Sequence, residues 1–525
     1  MNIVEKHTFI QTPSPKTGRD RSDSRSAAIR QTGIDPTPEV PLSDKLASNE
    51  TAIGQTFEHC ADLAMRKFYL FHSLPCLAAY LEVLVDHTLW DEGLLTPLMK
   101  LDPQESESPE QLIERLKHQL PSIVLMETVT DLKDAVRRIV NGEVILFIES
   151  SRQALSIKIK DKLQRQLEEP STESVIRGPR IGFIERIEVN MALLRHIVRT
   201  PQLKMENIVL GTTTQTEMAI VYIDGLAAPN VVEEVRRRLA KIDMNSVLSS
   251  GYIEELISDH PRSPFPLIQS TQRPDAVSAA LIEGKVALLV NGSPFALILP
   301  VTFWFAFQTV EDYYINFMFG SMLRMLRYLF AFLALALPSI FVAVTTYHSE
   351  MIPSSLTMTL AASREVVPFP ALMESLMMEV TFEALREGGV RLPRPVGQTI
   401  SIVGALVIGQ AAVQAGIISA PLVIVVSLTG IASFLIPNPT LNQAVSLLRF
   451  PLLLCAGTFG LYGVGAGLIA ILIHLTNLRS FDVPYLAPVA PLHTAGLLDV
   501  FSRAPWQVLN KRQRPAGQEL ELKKK

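Results

Sequence analysis

From residue 395 to residue 478 the chain carries a single formal charge, Arg449. So long a stretch without charge cannot make a water-facing surface, and it points to a bilayer. Within it, 396–419 reads VGQTISIVGALVIGQAAVQAGIIS: 24 residues, no charge, but three glutamines, Gln398, Gln410 and Gln414. An amide in hydrocarbon costs free energy unless something hydrogen-bonds it. These glutamines therefore face either a neighbouring helix or water inside the membrane.

On a helix, Gly397, Ser401, Ala405 and Gly409 form one i+4 stripe, continued by Ala412 and Gly416. Small residues at that spacing let two helices approach closely. Val403, Val407, Gln410 and Gln414 lie roughly opposite. Two readings stay open for that face. The amides are interhelical glue, worth about 1 kcal/mol each, or they border a wet path with the valines as a dewetting constriction.

Further crossings are expected at 325–344, 422–436 and 447–475, giving four with 399–420. The apolar run 295–307 is too short to span, and its Trp304 suits the headgroup level. Arg324 and Arg327 before the first span, and seven Lys or Arg against two Glu from residue 501 onward, put both ends in the cytoplasm. The stretch 352–386 is the awkward one. Pro368 and Pro370 interrupt it, and Glu374, Glu379, Glu383 and Arg386 follow. Charge facing lipid is too costly, so a re-entrant or interfacial hairpin is expected there.

The N-terminal side has another character. With 525 residues, 19% of them charged, and a mean hydropathy of +0.25, the averages hide a soluble-looking region between 102 and 285. DAVRRIVNGEVILFIES, from Asp134, resembles DAVSAALIEGKVALLVNG, from Asp275, and Gly142 and Gly284 are 142 residues apart. The same offset links Tyr80 in AAYLEVL to Tyr222 in IVYIDGL. Two matches at one offset imply a duplicated α/β unit. The expected organisation is a disordered tail over 1–54, α/β subdomains over 55–165 and 166–320, an all-α multi-span membrane domain over 321–480, and a cytoplasmic tail over 481–525.

Several classes are excluded. A net charge of -4 with no basic domain argues against nucleic-acid binding. Three cysteines without a CxxC pair offer neither zinc site nor disulfide framework. No phosphate loop, dinucleotide fingerprint, HExxH or GxSxG is present, and GTTTQT at Gly211 lacks the lysine of a phosphate cradle. No catalytic, cofactor or metal residue is expected, and the chain does not read as an enzyme.

Longer motifs carry a resemblance. RGPRIGF at Arg177, VYIDGLA at Val221, KIDMNSVLSSGYIEEL, SPFP at Ser263 and TQRPD resemble the soluble domain of GerA-type spore germinant receptors. EDYY at Glu311, PFPALMESLMME at Pro368, RPVGQTISIVGALVIGQAAVQAG and LLRFP at Leu447 resemble its membrane domain. The resemblance implies the A subunit of a receptor in the spore inner membrane. It would be a ring-forming, nutrient-gated cation-channel component, working with a transporter-like B subunit and a lipoprotein C subunit. The chain departs from the family pattern at Ile181, where an acidic residue is expected, and around YLFHSLPCLAAYLEV. The alternatives are a non-conducting scaffold, the family paralogue associated with dipicolinic-acid release, and a secondary transporter, against which four spans without an internal repeat count.

Overall fold

The computed structural model describes residues 40–71, 73–99, 109–119, 125–159, 170, 173, 175–391, 409–492 and 494–505. Its first half contains two five-stranded sheets of the same order. Helix α1 (Leu46–Thr56) precedes β1 (Leu63–Leu70) and β2 (Leu74–Leu81). Then come α2 (Pro109–Gln119), β3 (Met126–Val129), α3 (Leu132–Val140), β4 (Val144–Ile148) and β5 (Ala154–Ile157). The second unit runs through α4 (Ile187–Ile197), β6 (Leu203–Leu210), β7 (Thr216–Ile223), α5 (Pro229–Leu239) and α6 (Ser250–Ile257). It closes with β8 (Gln269–Thr271), α7 (Pro274–Ile282), β9 (Val286–Val290) and β10 (Ala296–Leu299).

The strand orders are β1-β2-β4-β5-β3 and β6-β7-β9-β10-β8, and every ladder is antiparallel. The duplication extends to single hydrogen bonds. After α3, Gly142 at φ 81° and Glu143 donate to Ile139 and Arg138. After α7, Gly284 at φ 84° and Lys285 donate to Leu281 and Ala280. Only glycine enters that left-handed cap cheaply, which is why the two glycines mark the repeat.

Alternation along the strands gives each sheet two apolar faces. In the first unit, Leu77, Ala79 and Leu81 of β2 pack under α1 and α3, while Cys76, Ala78 and Tyr80 pack under α2 and its neighbours. Leu42, Leu46 and Ile53 belong to this core, so the ordered unit begins before residue 55, within the stretch expected as tail. The apolar run 295–307 also needs correcting. Its first part is β10, buried in the second sheet, and its second part joins the two halves of the molecule. A short apolar run reads alike as a core strand or a membrane-surface segment.

That junction is aromatic. Phe303 makes edge contacts with Phe265, Trp304, Phe307 and Tyr485. Residues 481–492, expected as part of a tail, pack into it: Tyr485 is fully buried and its hydroxyl donates to the Pro266 carbonyl at 2.7 Å.

Helix α8 (Phe317–Tyr347) leaves the junction, followed by α9 (Ser354–Arg364), α10 (Ala371–Arg391), α11 (Ala420–Phe434) and the helical run α12 (Pro439–Asn477). A last helix, α13 (Thr494–Phe501), straps the base of α8, where Tyr313 donates to Asp499 at 2.6 Å and Tyr328 to the Val500 carbonyl at 2.9 Å. Arg324, fully buried there, reaches both Asp312 and Asp499. Among the described residues, α8 and α12 are long and apolar enough to cross a membrane.

Run α12 is a hairpin. Gly460 sits at φ 61°, ψ -144°, outside helical space. A side chain on Gly463 would strike Cys455 and Phe459, and one on Gly467 would meet Leu452 at 2.6 Å, so the legs 439–459 and 461–477 run back along each other. The stretch 447–475 is therefore two antiparallel helices rather than one expected span. At the far end, Tyr347 of α8 donates to the Gly457 carbonyl at 2.8 Å. Helix α10 descends beside them: Ala371 packs with Val342 and Leu453 near the far end, whereas Arg386 donates to Ser446 toward the sheets.

Candidate functional site

The most unusual chemistry of the helical half starts with a proline. Pro338 interrupts α8 and has no N–H to offer the Ala334 carbonyl one turn back. Arg449 supplies the missing donor, its Nε donating to that carbonyl at 2.8 Å. Its Nη1 donates to Glu379 Oε2 at 2.6 Å, and both side chains are 2% exposed. Three helices, α8, α10 and the first leg of α12, thus meet on one buried ion pair. Among the described residues, Glu379 Oε1 and Arg449 Nη2 have no hydrogen-bond partner, nor do the buried hydroxyls of Ser339 and Ser375.

Two further carboxylates of α10 are placed differently. Glu374 accepts from the N–H of Ser419, the cap residue of α11, at 3.1 Å, with Arg364 at 3.7 Å. A carboxylate there complements the positive end of the helix. Glu383 pairs with Arg386 on the same helix. All four charged residues singled out from 352–386 therefore have partners. The pairings with Glu379 and Glu374 come from Arg449 and Arg364, which sequence reasoning missed. The signal was available: the lone charge in an 84-residue apolar stretch requires a counterion.

Of the glutamine-bearing segment, Val403, Val407, Gly397, Ser401 and Ala405 lie outside the described residues. Helical backbone is described from Gly409 to Gln414. Gly409 is buried, with Val423 of α11 at 3.5 Å from where its Cβ would stand. Gln410 and Gln414 are exposed, with no hydrogen-bond partner among the described residues.

In the soluble half, a cleft of about 580 Å³ opens between the duplicated units, lined in part by Gln55, His59, Lys204, Tyr222 and Asp224. Lys204, almost buried, donates to the Thr56 carbonyl at 3.2 Å and has no carboxylate partner among the described residues. Burial and a hydrogen bond to Glu206 raise the Tyr222 hydroxyl pKa. Burial tends to raise the Glu206 carboxyl, but hydrogen bonds from Arg236 and Tyr222 outweigh it and hold it below its ordinary value. Beside the cleft, Arg195 clasps Asp62 through two bonds of 2.8 Å, and both residues are fully enclosed. This ion pair and the strand-like pairing of Cys60 with Met205 tie the two units together.

Comparison with known proteins follows the same outline. Residues 51–515 match the Bacillus/Clostridium GerA spore germination protein family. The chain is 45% identical to the uncharacterized membrane protein YfkQ of Bacillus subtilis, over 90% of this chain and 91% of that one. It is 40% identical to spore germination protein KA of B. subtilis (91% and 88% covered) and 41% identical to GerLA of Bacillus cereus (86% and 91% covered). A solved N-terminal domain, from the A subunit of the Bacillus megaterium spore germinant receptor GerK3, is 31% identical. It aligns over 50% of this chain and 97% of that domain, with a TM-score of 0.39. The chain belongs to the GerA family of spore germination proteins.

Proposed function

We propose that this chain is the membrane subunit of a nutrient-responsive germinant receptor in the spore inner membrane, and that copies of it surround a cation path. The observation that carries the reading is the exposure of Gln410 and Gln414 opposite the packed Gly409. Two amides that no described helix of their own chain covers need water or another copy, and a ring of copies around a wet axis supplies both. A transporter-like B subunit and a lipoprotein C subunit complete the assembly.

The topology belongs to the same proposal. Helix α8 leads away from the sheets and α10 returns; the chain is next described at Gly409, near the far end. Helix α11 returns again, and the two legs of α12 go out and back. Counting the expected span 399–420, most of which lies outside the described residues, that makes six crossings, with the soluble half and the C-terminus both cytoplasmic and Arg386 on the cytoplasmic side.

The test is potassium release from spores carrying Gln410→Leu or Gln414→Leu, with receptor abundance followed by immunoblot. Release that turns constitutive or disappears at normal abundance supports a wet path. Loss of the protein instead, as Gly409→Leu is expected to cause, leaves a non-conducting scaffold.

A second reading concerns the cleft between the units. An ammonium without a carboxylate partner, facing the same space as Asp224, suits a small zwitterion such as an amino acid. Lys204→Met should then raise the nutrient concentration needed for germination without lowering receptor abundance.

A further inference from the structure

A second cavity, of about 440 Å³, opens where the second leg of α12 ends against the soluble half. Asp259, His260, Pro261, Arg262, Ser263 and His474 line it. Its walls are anchored on both sides. Ser263 Oγ lies 2.9 Å from His474 Nε2, and the His474 ring rests on Phe265, which is buried in the aromatic junction. Pro261, Pro264 and Pro266 stiffen the loop between them.

The charges in the cavity do not cancel. Asp259 is already engaged, accepting from Arg238 Nη2 at 2.6 Å and from the Phe481 N–H at 2.7 Å. Arg262 is exposed and has no carboxylate partner among the described residues. One unanswered guanidinium, with the exposed imidazole of His260 beside it, makes a site for an anion, and a guanidinium is suited to phosphate oxygens.

The surroundings say which anion. Ile469, Leu472 and Ile473, on the last turns before His474, are 54–60% exposed. On the soluble side Tyr252 and Leu256, one helical turn apart on α6, are exposed as well. If α12 crosses the bilayer as proposed above, on which this inference rests, the cavity lies at headgroup level. Its charge is then next to lipid chains.

We infer that this cavity binds the phosphate of an anionic lipid headgroup, with Arg262 as the principal ligand and acyl chains lying along Ile469 and Ile473. Free inorganic phosphate shares the headgroup's chemistry but has no use for the apolar flank.

The experiment uses the full-length protein reconstituted in vesicles of equal phosphatidylcholine and phosphatidylglycerol. The protein is then extracted, and its retained lipid is counted by native mass spectrometry. The wild type should retain phosphatidylglycerol in preference. Arg262→Glu should lower that retention by at least about five-fold, the factor that loss of one basic residue alone carries at an anionic surface. Arg237→Glu, on α5 and paired with Glu234, should leave it unchanged.

Inserted protein with no lipid preference, or with retention indifferent to Arg262→Glu, overturns the headgroup site and leaves the membrane reading standing. Displacement of the lipid by added inorganic phosphate, with the two lipids otherwise held equally, assigns the site to free phosphate and overturns the lipid. Protein that never enters the vesicles overturns the membrane reading and this inference together.

Discussion

Arg449 shows how much one residue can decide. Its guanidinium answers a carbonyl freed by Pro338 and a carboxylate on a third helix, so removing it leaves both without their partner. We expect Arg449→Met to destabilise the protein by about 3 kcal/mol, the scale for stranding one partner of a buried ion pair. Thermal unfolding in detergent checks this. The double variant Arg449→Met, Glu379→Met should recover most of the loss, because no charge is then stranded. A double variant no better than the single would mean that the pair does not carry the packing. Glu206 offers a test in acid. Its folded pKa is depressed, so its contribution is complete above the ordinary value of 4.5 and fades as pH falls through the lower folded value. Glu206→Gln should therefore be less stable than wild type at neutral pH, and the gap should close on acidification. A gap that stays constant across that range would count against the ion pair as its cause.

At the scale of elements, legibility varied with how local the signal was. The duplicated sheets could be read because Gly142 and Gly284 each cap a helix, and alternating apolar residues follow at the same offset. The α12 hairpin could not. Its turn is one of five glycines between 457 and 467, with nothing in the sequence to single it out, and a 29-residue apolar run fits a single tilted crossing. The non-helical backbone of Gly460, with the contacts of Gly463 and Gly467 on the preceding leg, identifies it as the turn. The counterions of Glu374 and Glu379 lie 10 residues back and 70 residues ahead in the chain, so although the lone charge of Arg449 calls for a partner, nothing local says which carboxylate it is. Gly460→Ala is expected to cost about 2 kcal/mol, combining an unfavourable backbone with a clash. The clash is with Tyr347 and His348, 2.8–3.1 Å from the new methyl. Thermal unfolding measures this too. Gly465→Ala, with open space around it, should show only a small change.

For the whole molecule, the decisive question is which ends of the helices share a side. At 1.5 Å per residue the legs of α12 are about 31 and 25 Å long, each close to the thickness of a hydrocarbon core. In the six-crossing arrangement proposed above, the C-terminal end of α10 lies on the side of the sheets. A four-crossing chain with an interfacial hairpin puts that end outside. Single cysteines at Gly388 and at Glu350, both exposed, distinguish the two. Gly388→Cys should react with an impermeant thiol reagent only from the cytoplasmic face, and Glu350→Cys only from the opposite one. Labelling of both from one face would remove the six-crossing arrangement.

The ion pair on α10 also bears on how the protein is made. Ala334 and Glu379 leave the ribosome well before Arg449, so Glu379 has no counterion when its own helix is complete. If α10 crosses the bilayer as proposed, a lone carboxylate is a poor candidate for its middle, and the helix gains by waiting at the surface until the α12 hairpin arrives. Synthesis order and insertion order then differ, and the last helices to emerge complete the seating of an earlier one.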